Sequence, residues 1–405
     1  MKFDINKYIN YSILGFALSL SISKAGTVFF SILMILLWLF EGKFRKKLNS
    51  LKESKFILFM LLLLLLSTIS VIWSPDKVYA IDFMRKYWHF LVIPIIFTSL
   101  KNEYINMSIT YFLVGIFISV VFSYGIFFEL IEYKNFTSSN PMPFMDRMNY
   151  STYLAFASLI LFNKFFFEEE VKYKILYALY FLLTTSSLFL NGGRTGQVIF
   201  VFTIFLVGFL NIRRKLLAFI LMLVLSSSIL SVAYTISPNF HDRINIGIMD
   251  IKNIANGDFT ESFGQRVSLW IIGANIFADN TLIGTGIGNE LDGFKYYANK
   301  YDFVIYNKEG YNTVGFVDFH SSFIQYSVQL GCLGLILYIG IFYTLLMLKF
   351  KNKMYQNLNI IFVVTFILHS TVFFSFHLIH PMVLFALFAS VLSVISRIER
   401  EESIK

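Results

Sequence analysis

The stretch FILFMLLLLLLSTISVI, residues 56–72, holds no charged side chain, and positions 61–66 are unbroken leucine. A helix crossing about 30 Å of hydrocarbon needs roughly 20 apolar residues. A strand of a membrane barrel would alternate apolar with polar side chains. Six consecutive leucines do not alternate, so the segment predicts a membrane helix. Working outward, residues 107–130, 175–190, 197–210, 216–232 and 323–348 read the same way. Taken together, the apolar runs predict an all-α polytopic membrane protein of about twelve transmembrane helices. The composition agrees: of 405 residues, 57% are hydrophobic and 15% charged, with mean hydropathy +0.67. A soluble domain carries more polar surface.

A net charge of +9 raises the question of nucleic acid, and the placement of the charge answers it. Basic residues cluster in short connections: Lys43, Arg45, Lys46, Lys47, Lys52 and Lys55; Arg213, Arg214 and Lys215; Lys349, Lys351 and Lys353; Arg397 and Arg400. Cytoplasmic loops of membrane proteins carry this excess. With twelve spans, every cluster falls on one side, together with both termini. The expected partners are therefore membrane lipids and not nucleic acid, in a multi-pass membrane protein with both termini cytoplasmic. The first span, residues 9–22, lacks a small-residue cleavage site and reads as a retained helix. The single cysteine, Cys332, excludes an intramolecular disulfide.

We read the chain as a single membrane domain, residues 1–405, with no internal repeat. One connection is long: residues 236–318 precede the tenth or so helix, and parity places them as a large loop outside the cytoplasm. They hold six basic against ten acidic residues, the wrong balance for a cytoplasmic loop. Trp270, Phe277, Phe294, Tyr296, Tyr297 and Tyr301 argue against a disordered tract. Apolar spacing over 266–277 predicts a helix, placed flat at the membrane surface. Two shorter external loops, 131–148 and 74–86, carry Arg147 and the pair Arg85 and Lys86. Basic residues on the disfavoured side suggest a task such as holding an anion.

Arg194 stands at the external junction of two spans, in LNGGRTG, residues 190–196. Guanidinium suits bidentate binding of phosphate oxygens, and the two glycines before it would allow a tight turn and close approach of a ligand. The plainer alternative is an arginine snorkelling to the interface. His320 opens a later span beside the long loop; its imidazole suits proton transfer from a hydroxyl, or simply an interfacial hydrogen bond. GTGIG, residues 284–288, reads as a turn, because no strand–helix–strand unit surrounds it. His377 and His380 stand three apart, but Pro381 follows and no carboxylate is close in sequence, so no metal site is expected. The tyrosines of 296–311 suit either sugar stacking or packing within the loop.

Three segments together resemble the O-antigen ligase family, which shares a superfamily with the O-antigen polymerases. They are 188–196 with Arg194; GQRVSLW at 264–270, with Arg266, continuing through ANIF at 274–277 to GTGIGN at 284–289; and DFHSSFIQ at 318–325, with His320, continuing to GCLG at 331–334. The close resemblance covers about 188–337. Gly193 stands where the family often has Ser or Thr, and Ser321 where it often has Asn.

The resemblance implies a metal-independent, inverting glycosyltransferase of the O-antigen ligase type, needing no cofactor and acting in lipopolysaccharide biosynthesis. Its donor would be an undecaprenyl-pyrophosphate-linked glycan. Its acceptor would be the lipid A–core oligosaccharide on the periplasmic face. His320 would be the general base, with Arg194 and Arg266 as catalytic and pyrophosphate-binding residues. Arg85, Lys86 and Arg147 are further donor contacts expected from external placement. The alternatives are an O-antigen or exopolysaccharide polymerase with the same donor, and a flippase or transporter of lipid-linked sugar.

Overall fold

The computed structural model describes residues 4–133, 136–288, 290–303 and 318–404. The expectation of an all-α chain holds: no strand occurs among the described residues. In chain order the helices are α1 Ile5–Ser19, α2 Lys24–Glu41, α3 Phe44–Lys52, α4 Lys55–Ser70, α5 Lys77–Arg85 and, after the 3-10 helix Lys86–Leu91, α6 Val92–Ser99. Next come α7 Asn102–Phe127, α8 Arg147–Phe167, α9 Val171–Leu190, α10 Arg194–Asn211 and α11 Lys215–Ile236. Then follow α12 Pro238–Ala255, α13 Ser262–Asp279, α14 Leu291–Lys300, α15 Ser322–Leu346, α16 Lys353–Val372 and α17 Ile379–Ile404.

Eight of these are long and apolar enough to cross a membrane, or nine if α3 and α4, bent by 97°, form one span. The expected twelve is not reached. The run 56–72 decides helix type but yields an α4 of 16 residues, and α1 has 15. The apolar stretch 90–98 is divided between the 3-10 helix and the eight-residue α6. The bend before α4 has a visible cause. Ser54 accepts the backbone N–H of Ile57 and starts a new helix, while α3, rich in lysine, keeps to a polar surface.

Helix α17 forms the centre. In its membrane-length stretch 83% of the residues are buried, as suits a helix apolar on all sides. Its Phe385 and Phe388 join Phe156, Phe362 and Phe366 in one cluster of tilted and edge-to-face rings. The basic clusters meet at one end of the bundle. There Arg400 pairs with Glu53 at 3.1 Å, Lys101 with Asp4 at 3.5 Å, and Asn357 donates to Asn211 at 3.0 Å.

Residues 236–318, expected as a loop, are helical over α12, α13 and α14. Ser237 caps α12 with Pro238 in its first turn, a favoured start. The predicted helix over 266–277 exists within α13. Its apolar face is covered by protein: Leu269, Ile272 and Ile276 form a second small core with Phe294, Tyr297, Phe319 and Val328.

The glycine turn at 284–288 anchors this layer. Helix α15 breaks at Gly331, where φ is +65°. The break frees two carbonyls, which accept from the turn: Thr285 N–H to Val328 O and Gly286 N–H to Gln329 O, both 2.9 Å. Cys332 N–H donates to Thr281 O at 2.7 Å, so the turn replaces the missing helical bonds. Gly284 and Gly286 take positive φ; a Cβ on Gly286 would lie 2.7 Å from Ser74 Cα. The sequence reading of this stretch as a turn is correct.

Candidate functional site

Two helices begin side by side at the end opposite the basic clusters, each with arginine as its first residue: α8 at Arg147 and α10 at Arg194. Asp146 caps α8, accepting the N–H of Met148 and Asn149 at 3.1 Å. Of the glycines around Arg194, Gly193 and Gly196 pack against α8, while a Cβ on Gly192 would meet nothing nearer than 3.8 Å. A Cβ on Gly193 would lie 2.4 Å from Arg147 O, and one on Gly196 2.1 Å from Ser151 O. They let α10 approach α8, and neither has positive φ. Asn191 Oδ1 accepts the Gly193 N–H at 3.0 Å and Gln197 donates to Asn191 O at 2.9 Å, which fixes the turn. Two helix N-termini thus place their partial positive charge beside two guanidiniums.

Arginines from α12 and α13 join them. The pKa of Arg243 is lowered by burial, then by the charges of Arg194 and Arg147. That of Arg266 is lowered by burial, then by Arg194, against Asp318, which raises it. Arg194 is thus within electrostatic reach of both Arg243 and Arg266, and Arg147 within reach of Arg243. Arg266 also lies over the Phe373 ring, 5.3 Å from its centroid. Asp250, 1% exposed, approaches Arg194 at 3.9 Å and accepts the Phe263 N–H at 3.3 Å.

His320 meets this cluster from the start of α15. Its edge faces Phe373, ring centroids 6.3 Å apart. Its backbone is left-handed, φ +49°, held by an N–H donated to Asp318 Oδ1 at 2.7 Å. Asp318 Oδ2 lies 3.7 Å from Nδ1, within Coulomb reach but beyond a hydrogen bond. Burial lowers the pKa of His320 below 6.5; Asp318 opposes the shift and Arg266 adds to it. The imidazole is therefore neutral near pH 7, the form that accepts a proton. Ser321 caps α15 by accepting the Ile324 N–H at 3.5 Å, and Ser322 N–H donates to Phe373 O at 3.0 Å.

The structure thus brings Arg147, Arg194, Arg266 and His320 together. The other two expected donor contacts have partners of their own. Arg85 is 79% exposed and pairs with Asp82 at 2.8 Å. Lys86 lies 3.0 Å from His377 Nε2, and His377 stacks on Phe83 and Phe374; burial and Lys86 hold its pKa near 4. Sequence reasoning missed Arg243, one more charge in a mixed loop, although Ser237-Pro238 marks the helix that carries it. Tyr297 donates to Asp279 and Tyr301 to Asn275 Oδ1 at 3.0 Å, so both pack the layer together. Tyr306 and Tyr311 lie outside the described residues, as do Asn289 of the glycine turn and Lys308.

A multi-pass helical membrane protein with a guanidinium cluster and a histidine on helix N-termini is the class this geometry defines. Residues 179–339 match the family model described as O-antigen ligase. The match runs from α9 into α15 and includes Arg194, Arg243, Arg266 and His320. No curated protein matches the chain. The resemblance to the O-antigen ligase family holds over this segment. It supports an O-antigen ligase- or polymerase-type function in general, with glycosyltransferase-like ligase activity and lipid-linked glycan and lipid A–core partners of the family's general kind.

Proposed function

We propose that this protein transfers a glycan from undecaprenyl pyrophosphate to the lipid A–core oligosaccharide on the periplasmic face of the bacterial inner membrane. The observation that carries the proposal is the convergence of Arg194 and Arg266 with a neutral His320 at one end of the bundle. In this reading His320 takes the proton of an acceptor hydroxyl as its oxygen attacks the anomeric carbon. The carbon–oxygen bond to pyrophosphate breaks, the configuration inverts, and undecaprenyl pyrophosphate leaves. Charge accumulates on the departing phosphate oxygens. Fixed guanidiniums in a partly dehydrated site stabilise that charge without changing protonation state. In this reading Arg194 and Arg266 take this role, with Arg147 and Arg243 as further donor contacts. No step needs a metal or cofactor.

The topology of the proposal counts α1, α4, the 86–99 segment and α8 as crossing too. That gives twelve spans, both termini cytoplasmic and the 236–318 segment periplasmic. Glycan analysis of a strain lacking the protein separates ligase from polymerase. Accumulated lipid-linked polymer with unmodified core supports the ligase. Single repeat units on the core would assign the polymerase reaction instead.

A further inference from the structure

The other end of the bundle holds a second basic site. A groove of about 670 Å³ opens where α4 begins and α15 and α17 end. Lys55, Lys349, Lys351, Arg397 and Arg400 line it, against Glu53 and Glu399. Both carboxylates are engaged. Glu53 takes Arg400 at 3.1 Å, and Glu399 accepts the backbone N–H of Lys351. Among the described residues the ammonium groups of Lys55, Lys349 and Lys351 make no ion pair.

Two buried polar groups mark the floor. Ser393, 3% exposed, has an Oγ with no hydrogen-bond partner. Arg397 donates to Ser50 at 2.8 Å and lies over Phe97 at 4.6 Å. Its buried Nε has no hydrogen-bond partner; the nearest carboxylate, Glu401, is 3.8 Å away. Such groups cost free energy unless something completes their bonding. The groove's other wall is apolar. Tyr343 and Met347 are more than half exposed on the outer surface of α15, where a membrane-spanning helix faces lipid.

We propose that this groove binds the phosphate headgroup of an anionic phospholipid, with an acyl chain lying along Tyr343 and Met347. The headgroup supplies the acceptor oxygens that Ser393, Arg397 and the three lysines lack. The apolar wall favours a lipid over dissolved phosphate, which shares only the polar half of the chemistry. Basic pockets between helices at the cytoplasmic leaflet recognise such headgroups. The site lies roughly 35 Å along α15 from His320, taking 1.5 Å per residue, so it does not rest on the transfer reaction.

Native mass spectrometry of the purified full chain, titrated with phosphatidylglycerol or phosphatidylcholine, tests this. Wild type should retain phosphatidylglycerol at concentrations where phosphatidylcholine is lost. Combined Lys55→Gln, Lys349→Gln and Lys351→Gln should weaken phosphatidylglycerol about a hundredfold, at roughly fivefold per basic residue. Lys349→Gln alone should give about fivefold, which keeps the test open if the triple variant does not fold. A control of equal charge at the same end of the bundle, Lys172→Gln with Arg213→Gln and Arg214→Gln, should retain the lipid as wild type does. Equal retention of both lipids, or equal loss in the control, would overturn the assignment. Displacement of phosphatidylglycerol by equimolar inorganic phosphate would overturn the lipid and assign free phosphate.

Discussion

Replacing Gly284 by alanine should loosen the docking of the glycine turn into α15, and the size of the effect can be built from the contacts. The residue sits at φ +67°, and a Cβ there meets Gln329 C, Leu330 N and Val328 O, each at 2.5 Å. All three are backbone atoms, so the turn must move. Left-handed alanine costs about 1–2 kcal/mol. Weakening the bonds from Thr285 and Gly286 to α15 costs about 1 kcal/mol each. A total of about 3–4 kcal/mol raises the undocked fraction roughly a few hundredfold. Cys332 is the only cysteine, is half-buried, and donates its N–H to Thr281 in the same turn. The labelling rate of Cys332 with a membrane-permeant maleimide in purified protein reads the undocking directly. The expected result is faster labelling than wild type with a lower Tm. Labelling within about twofold of wild type at an unchanged Tm would refute the claim that these backbone bonds hold the layer.

Other consequences can be checked by transfer kinetics. Because the pKa of His320 lies below 6.5 and the base must be neutral, the rate should be flat near pH 7 and fall in acid with a midpoint below 6.5. Asp318→Asn removes the group that raises this pKa and should move the acid limb to lower pH; an upward move would contradict the assigned charges. Arg266→Ala removes a charge that lowers it, so the limb should move up while the donor KM rises by roughly tenfold or more. Arg243→Ala should raise the donor KM in the same direction, whereas exposed, paired Arg85→Ala should change it by less than about twofold. Transfer should survive a chelator, and its loss would count against a metal-free reaction.

Helix type was legible in the sequence because hydrocarbon demands long apolar runs, and α7, α9, α10, α11 and α15 lie where those runs predict them. Helix length was less legible. Run 56–72 continues past Ser70, but the chain turns there to meet Ile287, whose N–H donates to Ser70 Oγ at 3.0 Å, a contact from 217 residues away. The break at Gly331 was hidden for the same reason, since one glycine in an apolar run does not reveal that a distant turn will take over its carbonyls. Arg194, Arg266 and His320 were legible as a pattern of motifs. Their convergence depends on α13 packing against α15, which no local signal carries. Gly193 was legible as a turn residue, but its packing against Arg147 and Ser151 of another helix was not.

The central claim is that the arginine cluster and His320 perform glycan transfer from a lipid pyrophosphate. The most direct measurement is product formation by purified protein given a defined undecaprenyl-pyrophosphate glycan and lipid A–core acceptor, with donor binding measured in parallel. Wild type should make the linked product, while His320→Ala should bind donor and make none. Product formed by His320→Ala at the wild-type rate would contradict the account.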